Sequence, residues 1–165
     1  MSAVSHVRRS RPLYRCAVTC SERGISLETR LDRPAAADRA ARQLELAADP
    51  DQRGRIGPSS LQEAHVILAL VEAGELPGPV RREAGRGDCT DATGQDWDVK
   101  RSRDGNIRPP FDVGGFVEGK IRYEVRYCRE NVIVDLTGLA VPANRQALRE
   151  AVGAAGLAAH VRWYE

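Results

Sequence analysis

The stretch NVIVDL, residues 131–136, constrains the fold more than any other part of the chain. A short unbroken apolar run of this kind marks a strand covered on both faces, and such strands belong to sheets flanked by helices. The chain after it agrees. A helix from about Pro142 to Ala155 presents Leu148, Ala151, Val152 and Ala155, and HVRWYE at 160–165 has the character of a final strand. Strand, helix and strand in that order imply a parallel pair joined by a right-handed crossover. Upstream, a helix from about Leu61 to Ala73 carries Leu61, Ala64, Leu68 and Val71 as a stripe, widened by Ile67 and Leu70 and ended by PGP at 77–79. An amphipathic helix over 115–129 places Val117, Ile121, Val125 and Cys128 on its apolar side. The order from Ser59 is therefore helix, hairpin, helix, strand, helix, strand: a mixed sheet with helices on its faces, α/β or α+β.

Residues 1–53 read as an N-terminal extension of a core spanning 54–165. The extension holds a tail with RRSR at 8–11, a hairpin with strands at 13–20 and 25–31, and an Ala-rich helix opened by Pro34 and running to about Ala48. Aromatic residues make up only 5% of the chain, so the core is built mainly from Ala, Val, Leu and Ile. No apolar run approaches the roughly 18 residues that span a bilayer, and no signal peptide is visible. The expectation is a cytoplasmic protein without a membrane partner; a delivered or secreted protein also fits. A net charge of +2 neither demands nor excludes nucleic acid. Cys16 and Cys20 lack a second ligand pair at zinc spacing, and His6, His65 and His160 are scattered, so free buried thiols are expected for the four cysteines.

The segment GDCTDATGQDWDVKR, 87–101, carries the chemistry. ATG at 92–94 suits a three-residue hairpin loop, with Gly94 in the left-handed position. Closing Asp91 on Gln95 pairs Thr90 with Asp96, Cys89 with Trp97 and Asp88 with Asp98. Alternation then sends Cys89, Trp97 and Val99 toward an apolar core, and Asp88, Asp96, Asp98 and Lys100 to the other face. Directly opposed residues sit about 5 Å apart, so Asp88 and Asp98 crowd each other and raise each other's pKa unless a cation lies between them. Oxygen ligands of this kind suit Mg²⁺ or Mn²⁺. Lys100 and Lys120 are the only lysines in an arginine-rich chain, which suggests that position 100 needs a compact ammonium. A metal beside a lysine suits phosphodiester hydrolysis.

D-x9-D-x-K on a hairpin after a helix resembles the PD-(D/E)xK nucleases of the restriction-endonuclease-like fold. The likeness extends to small toxin nucleases of contact-dependent growth-inhibition and other polymorphic toxin systems, through GRIGPSSLQEA at 54–64, GDCTD at 87–91, WDVK at 97–100 and ENVIVDLTGL at 130–139. The resemblance covers about Gly54 to Glu165. It implies a Mg²⁺-dependent nuclease acting on DNA or RNA in a toxin or defence role, with a cognate inhibitor protein as a possible partner. It implies Asp88 and Asp98 as metal carboxylates, the Val99 backbone carbonyl as a further ligand, Lys100 as the catalytic lysine and Glu63 as the helical acid.

Structural alternatives stand beside these roles. Ser60 and Glu63 have the spacing of a capping box. Asp96 reads as an outer or surface residue, Asp91 as a turn stabiliser, Trp97 as core and Asp135 as a cap at a strand end. Arg101, Arg103 and Arg108 follow the site and are candidates for nucleic-acid phosphate contacts. A fold of this kind that binds nucleic acid or a protein without turnover is the alternative to an enzyme.

Overall fold

The computed structural model describes the backbone of residues 28–103 and 111–165, and the side chains of residues 36–103 and 111–165. The tail, the 13–20 strand, Cys16, Cys20 and Arg108 lie outside the described residues. Helix α1 is Glu28–Ala47 and α2 is Pro58–Glu72. A short hairpin follows, of β1 Cys89–Thr90 and β2 Asp96–Arg103. Helix α3 begins at Val113–Phe116 and continues with wider π-helical winding through Val117–Arg122 and Glu124–Cys128. Strand β3 is Asn131–Gly138, α4 is Pro142–Ala154 and β4 is Val161–Tyr164.

The sheet order is β1-β2-β3-β4, with β1 antiparallel to β2 and the other neighbours parallel. Two crossovers, through α3 and α4, make the parallel part. The fold is therefore mixed α/β with a four-stranded mixed sheet. Val132, Ile133, Val134 and Leu136 of β3 are all fully buried, as the unbroken apolar run predicts. Ile133 joins Trp97, Cys89, Ala64, Ile67 and Leu46 in one core against α1 and α2. Val132 and Val134 join Ile121, Leu148 and Val152 in a second core against α3 and α4. The alternation of β3 thus divides its side chains between two helical layers.

Three local expectations are corrected. Residues Glu28–Leu31, read as the end of a strand over 25–31, lie in α1; Leu27 and Leu31 are four apart, a spacing that suits a helix face as well as a strand. Helix α2 starts at Pro58, because proline at the first helical position has its φ already set. Its cap is Ser60 Oγ, which accepts from the Gly57 amide at 2.9 Å, so Glu63 is free of the capping role. Cys128, placed by α-helical spacing on the apolar face of α3, is exposed. Wider winding suits Val117, Ile121 and Val125, each four apart, and carries Cys128 off that face. Cys89 is buried, as expected.

Close packing at two glycines holds the sheet around the hairpin. A Cβ on Gly87 would stand 2.6 Å from the Trp97 carbonyl oxygen, and one on Gly138 would stand 2.3 Å from the Ser102 carbonyl oxygen. Gly138 sits where the β2–β3 register shifts between Arg101 and Arg103, and such bulges re-aim side chains at strand ends.

Candidate active site

The hairpin has the register that its turn chemistry dictates: Cys89 opposite Trp97 and Thr90 opposite Asp96. Gly94 takes φ +86°, the left-handed conformation that glycine adopts without strain. Asp91 pins the loop. Its carboxylate accepts from the Thr93 amide at 2.8 Å, the Gln95 amide at 3.1 Å and Trp97 Nε1 at 2.9 Å. Burial opposes ionisation there, but these hydrogen bonds outweigh it and lower the Asp91 pKa. Trp97 is buried against α2. Both residues are structural.

Asp88 lies at the base of the hairpin, just before β1. Its Oδ2 accepts from the Val99 amide at 2.8 Å, standing in for the strand neighbour that β1 is too short to supply. Its Oδ1 takes Arg82 Nη2 at 2.8 Å. Arg82 also approaches Glu63 Oε2 at 3.5 Å and Asp49 Oδ2 at 3.9 Å. One half-enclosed guanidinium therefore faces three carboxylates, from the α1–α2 loop, from α2 and from the residue before β1. Asp98 and Lys100 occupy the opposite face of β2. Lys100 Nζ lies 2.7 Å from Asp98 Oδ2 and 2.7 Å from Glu124 Oε1 on α3. The contact with Asp98 is an ion pair without hydrogen-bond alignment, and Oδ2 has no hydrogen-bond partner among the described residues.

The electrostatics follow from this crowding. Burial, then repulsion from Glu63, pushes the Asp88 carboxyl up to about 6. Burial, then repulsion from Asp88, pushes Asp98 up to about 6 as well, despite its lysine partner. Burial works against the charge of Lys100, but its contacts with Asp98 and Glu124 outweigh it and hold its pKa above the ordinary range. The two directions agree physically: the lysine gains from two carboxylates, while Asp98 loses more to burial and to Asp88 than one ammonium returns. Glu130, just before β3, is pushed up to about 7 by burial and then by Asp98 and Glu124. Asp96 accepts from Thr90 Oγ1 at 2.7 Å and pairs with Arg86 at 3.2 Å, an outer position, as read from the sequence.

Two adjoining depressions run along the α2 side of this hairpin. One, of ≈ 470 Å³, is lined by Asp49, Glu63, Arg82 and Asp88 among others. The other, of ≈ 290 Å³, is lined by Gln62, Glu63, Val99, Arg101, Arg103 and Asp135 together with Pro58 and Ser59. Pro58, Ser59 and Glu63 border both, so they form one cleft. Glu63 is thus central to it; its Oε1 accepts from Ser59 Oγ at 3.1 Å.

Of the residues singled out in the sequence, Asp88, Glu63 and Val99 border the cleft, with Arg101 and Arg103 farther along it. Asp98 and Lys100 stand on the other face of β2 and feel Asp88 electrostatically. Arg82, Glu124 and Glu130 were not singled out. Glu130 had a signal, lying directly before the buried strand. Glu124 had a weaker one, as an acid on the helix that must cover the lysine-bearing face. Arg82, in the loop between α2 and the hairpin, had none beyond its charge.

A divalent cation fits part of this arrangement. The donors are all oxygen, Asp88 repels Asp98 electrostatically, and Asp98 Oδ2 is buried with only the Lys100 ammonium against it. Asp88, however, has one oxygen on Arg82 and the other on the Val99 amide. Among the described residues no group of three or more His, Cys, Asp or Glu is disposed to hold a metal ion. A cation that uses Asp88 must therefore draw its Oδ1 away from Arg82. No family model matches the chain, and neither a curated protein nor a solved structure does. No helix among the described residues is long and apolar enough to cross a membrane.

Proposed function

We propose that the chain is a metal-dependent nuclease of restriction-endonuclease-like fold that hydrolyses phosphodiester bonds in DNA or RNA. The observation that carries this reading is the pair of half-buried carboxylates, Asp88 and Asp98, each with its pKa pushed up to about 6, beside a lysine held protonated. Excess negative charge concentrated at one hairpin is costly without a cation and useful with one. Mg²⁺ or Mn²⁺ supplies charge neutralisation and Lewis-acid polarisation of a phosphoryl oxygen. Asp88 and Asp98 would hold it, with the Val99 carbonyl on the same strand as Asp98, once Asp88 Oδ1 turns from Arg82.

The chain's own groups do the rest. Lys100 is too firmly protonated to serve as a general base at neutral pH. Its ammonium instead stabilises negative charge developing on the phosphate, in an orientation fixed by Asp98 and Glu124. Glu130 titrates near neutrality and can exchange a proton with the site. Glu63, facing the cleft, is placed to orient water there, and Arg101 and Arg103 extend the cleft with positive charge suited to the nucleic-acid backbone. A toxin or defence role, with a cognate inhibitor, accords with the motif resemblance.

One observation favours a second reading. The engagement of both Asp88 oxygens by Arg82 and Val99 suits a module that binds nucleic acid or protein without turnover. Incubation with plasmid, single-stranded DNA and total RNA separates the two. Cleavage that needs Mg²⁺ or Mn²⁺ and stops in EDTA supports the enzyme. Intact substrate under every condition, with retained binding, supports the module.

A further inference from the structure

Asp135 is fully buried, yet it is a charged side chain on the central strand. Its Oδ1 is used locally, accepting from the Thr137 amide at 2.9 Å and the Thr137 hydroxyl at 2.6 Å. Its Oδ2 has a different orientation. It accepts from Gln62 Nε2 of α2 at 3.3 Å and lies 3.5 Å from Arg101 Nε. Arg101 is the direct β2 neighbour of Asp135 in the parallel register, so the two side chains rise from the same face side by side.

A turn at the end of a strand needs only Oδ1. The second oxygen holds an arginine that is itself 42% exposed, at the mouth of the cleft that contains Glu63. Among the described residues the Arg101 side chain has no other partner, so both Nη groups are uncommitted. Its neighbour in the cleft is Arg103, two residues on along β2, so alternation brings both arginines to the same depression. The site lies at the carboxyl ends of two parallel strands, where sheets of this type bind ligands. A guanidinium with its Nε edge turned to a carboxylate, here an ion pair at 3.5 Å, offers its Nη pair as a fork that matches two phosphate oxygens.

We propose that Asp135 is a positioning residue that holds Arg101 by its Nε edge, so that Arg101 and Arg103 form a subsite for a backbone phosphate of the nucleic acid. The subsite rests on the nuclease reading and deepens it. It places a backbone phosphate in the cleft on the α2 side of the hairpin, past Glu63. Buried Asp135 acts only through Arg101.

The test is binding of fluorescently labelled single-stranded DNA and RNA oligonucleotides in EDTA, so that cleavage plays no part. Anisotropy is followed across a salt series for wild type, Arg101→Ala, Arg101→Lys, Asp135→Asn and the Arg101→Ala/Asp135→Asn double variant. Arg101→Ala weakens binding about tenfold and lowers the salt slope by about one, the signature of one lost phosphate contact. Arg101→Lys recovers only part of that affinity. Asp135→Asn carries the distinguishing sign. If bulk charge alone governs binding, losing a carboxylate near the cleft tightens it. If Asp135 positions Arg101, binding weakens severalfold, and the double variant matches Arg101→Ala. Tighter binding by Asp135→Asn, or an effect that adds in full to Arg101→Ala, overturns the proposal. Should Asp135→Asn fail to fold, exposed Arg101 decides alone: wild-type affinity and slope in Arg101→Ala overturn the subsite while leaving the nuclease reading in place. Failure of wild type to bind either oligonucleotide overturns the subsite, whereas the nuclease reading falls only if plasmid, single-stranded DNA and RNA all stay intact with Mg²⁺ and Mn²⁺.

Discussion

Asp98→Asn removes a charge that the fold holds at a cost. The Asp98 carboxyl moves from an ordinary 3.8 to about 6 on folding, about two pH units at about 1.4 kcal/mol each. A carboxyl with a raised folded pKa binds its proton more tightly in the folded state, so the chain loses stability as pH rises between the two values and stays less stable above them. Integrating between 3.8 and about 6, the penalty on wild type is about 0.5 kcal/mol at pH 4 and about 3 kcal/mol at pH 8. The amide that replaces the carboxylate keeps an acceptor for Lys100 and has no such penalty. Urea unfolding of both proteins in EDTA at pH 4 and pH 8 measures the difference. Any constant effect of the amide cancels between the two pH values. The variant gains about 2.5 kcal/mol on wild type across that range. Saturating Mg²⁺ at pH 8 narrows the gap, by stabilising wild type through linkage. A stability difference that is flat with pH, or that favours wild type more as pH rises, refutes the reasoning. It would mean that Lys100 more than offsets the burial of Asp98.

Arg82→Gln frees Asp88 Oδ1 from the guanidinium 2.8 Å away and leaves Asp49, Glu63 and Asp88 without their shared cation. Calorimetric titration with Mn²⁺ is expected to show affinity raised about tenfold, equivalent to about 1.4 kcal/mol, in a protein less stable without metal; unchanged affinity would place the cation away from Asp88. Gly138→Ala forces a Cβ to within 2.3 Å of the Ser102 carbonyl oxygen. The expected loss is about 1–3 kcal/mol in urea unfolding, and a neutral effect would show that the β2–β3 bulge relaxes freely.

The hairpin was legible because its turn and its alternation agree. ATG fixed where the chain reverses, and the placing of Cys89 and Trp97 on one face followed from period two alone. Strand β3 was legible for a similar reason, since Val132, Ile133 and Val134 are apolar without a break and leave no solvent face. Contacts that depend on how separate elements dock were not legible. Arg82 meets Asp88, Glu63 and Asp49 only once the loop after α2 folds back over the α1–α2 turn. Glu124 reaches Lys100 only once α3 docks on the sheet, and apolar spacing alone does not distinguish α-helical from wider winding. That winding also explains the misplacement of Cys128. Pairing Ser60 with Glu63 as a capping box failed because Pro58 starts the helix earlier, and then Ser60 itself turns back to the Gly57 amide.

Lys100 stands at the centre of the account, and its replacement by arginine isolates what a compact ammonium contributes. Single-turnover cleavage is measured for wild type, Lys100→Arg and Lys120→Arg on the same substrate with Mg²⁺. Arginine keeps the charge but not the size, hydration or point-donor geometry that fit between Asp98 and Glu124, each 2.7 Å from Nζ. The account predicts a loss of about a hundredfold or more in Lys100→Arg, with each tenfold worth about 1.4 kcal/mol of transition-state stabilisation. It predicts wild-type cleavage in Lys120→Arg. Equal cleavage by wild type and Lys100→Arg contradicts it, and removes the lysine from the chemistry.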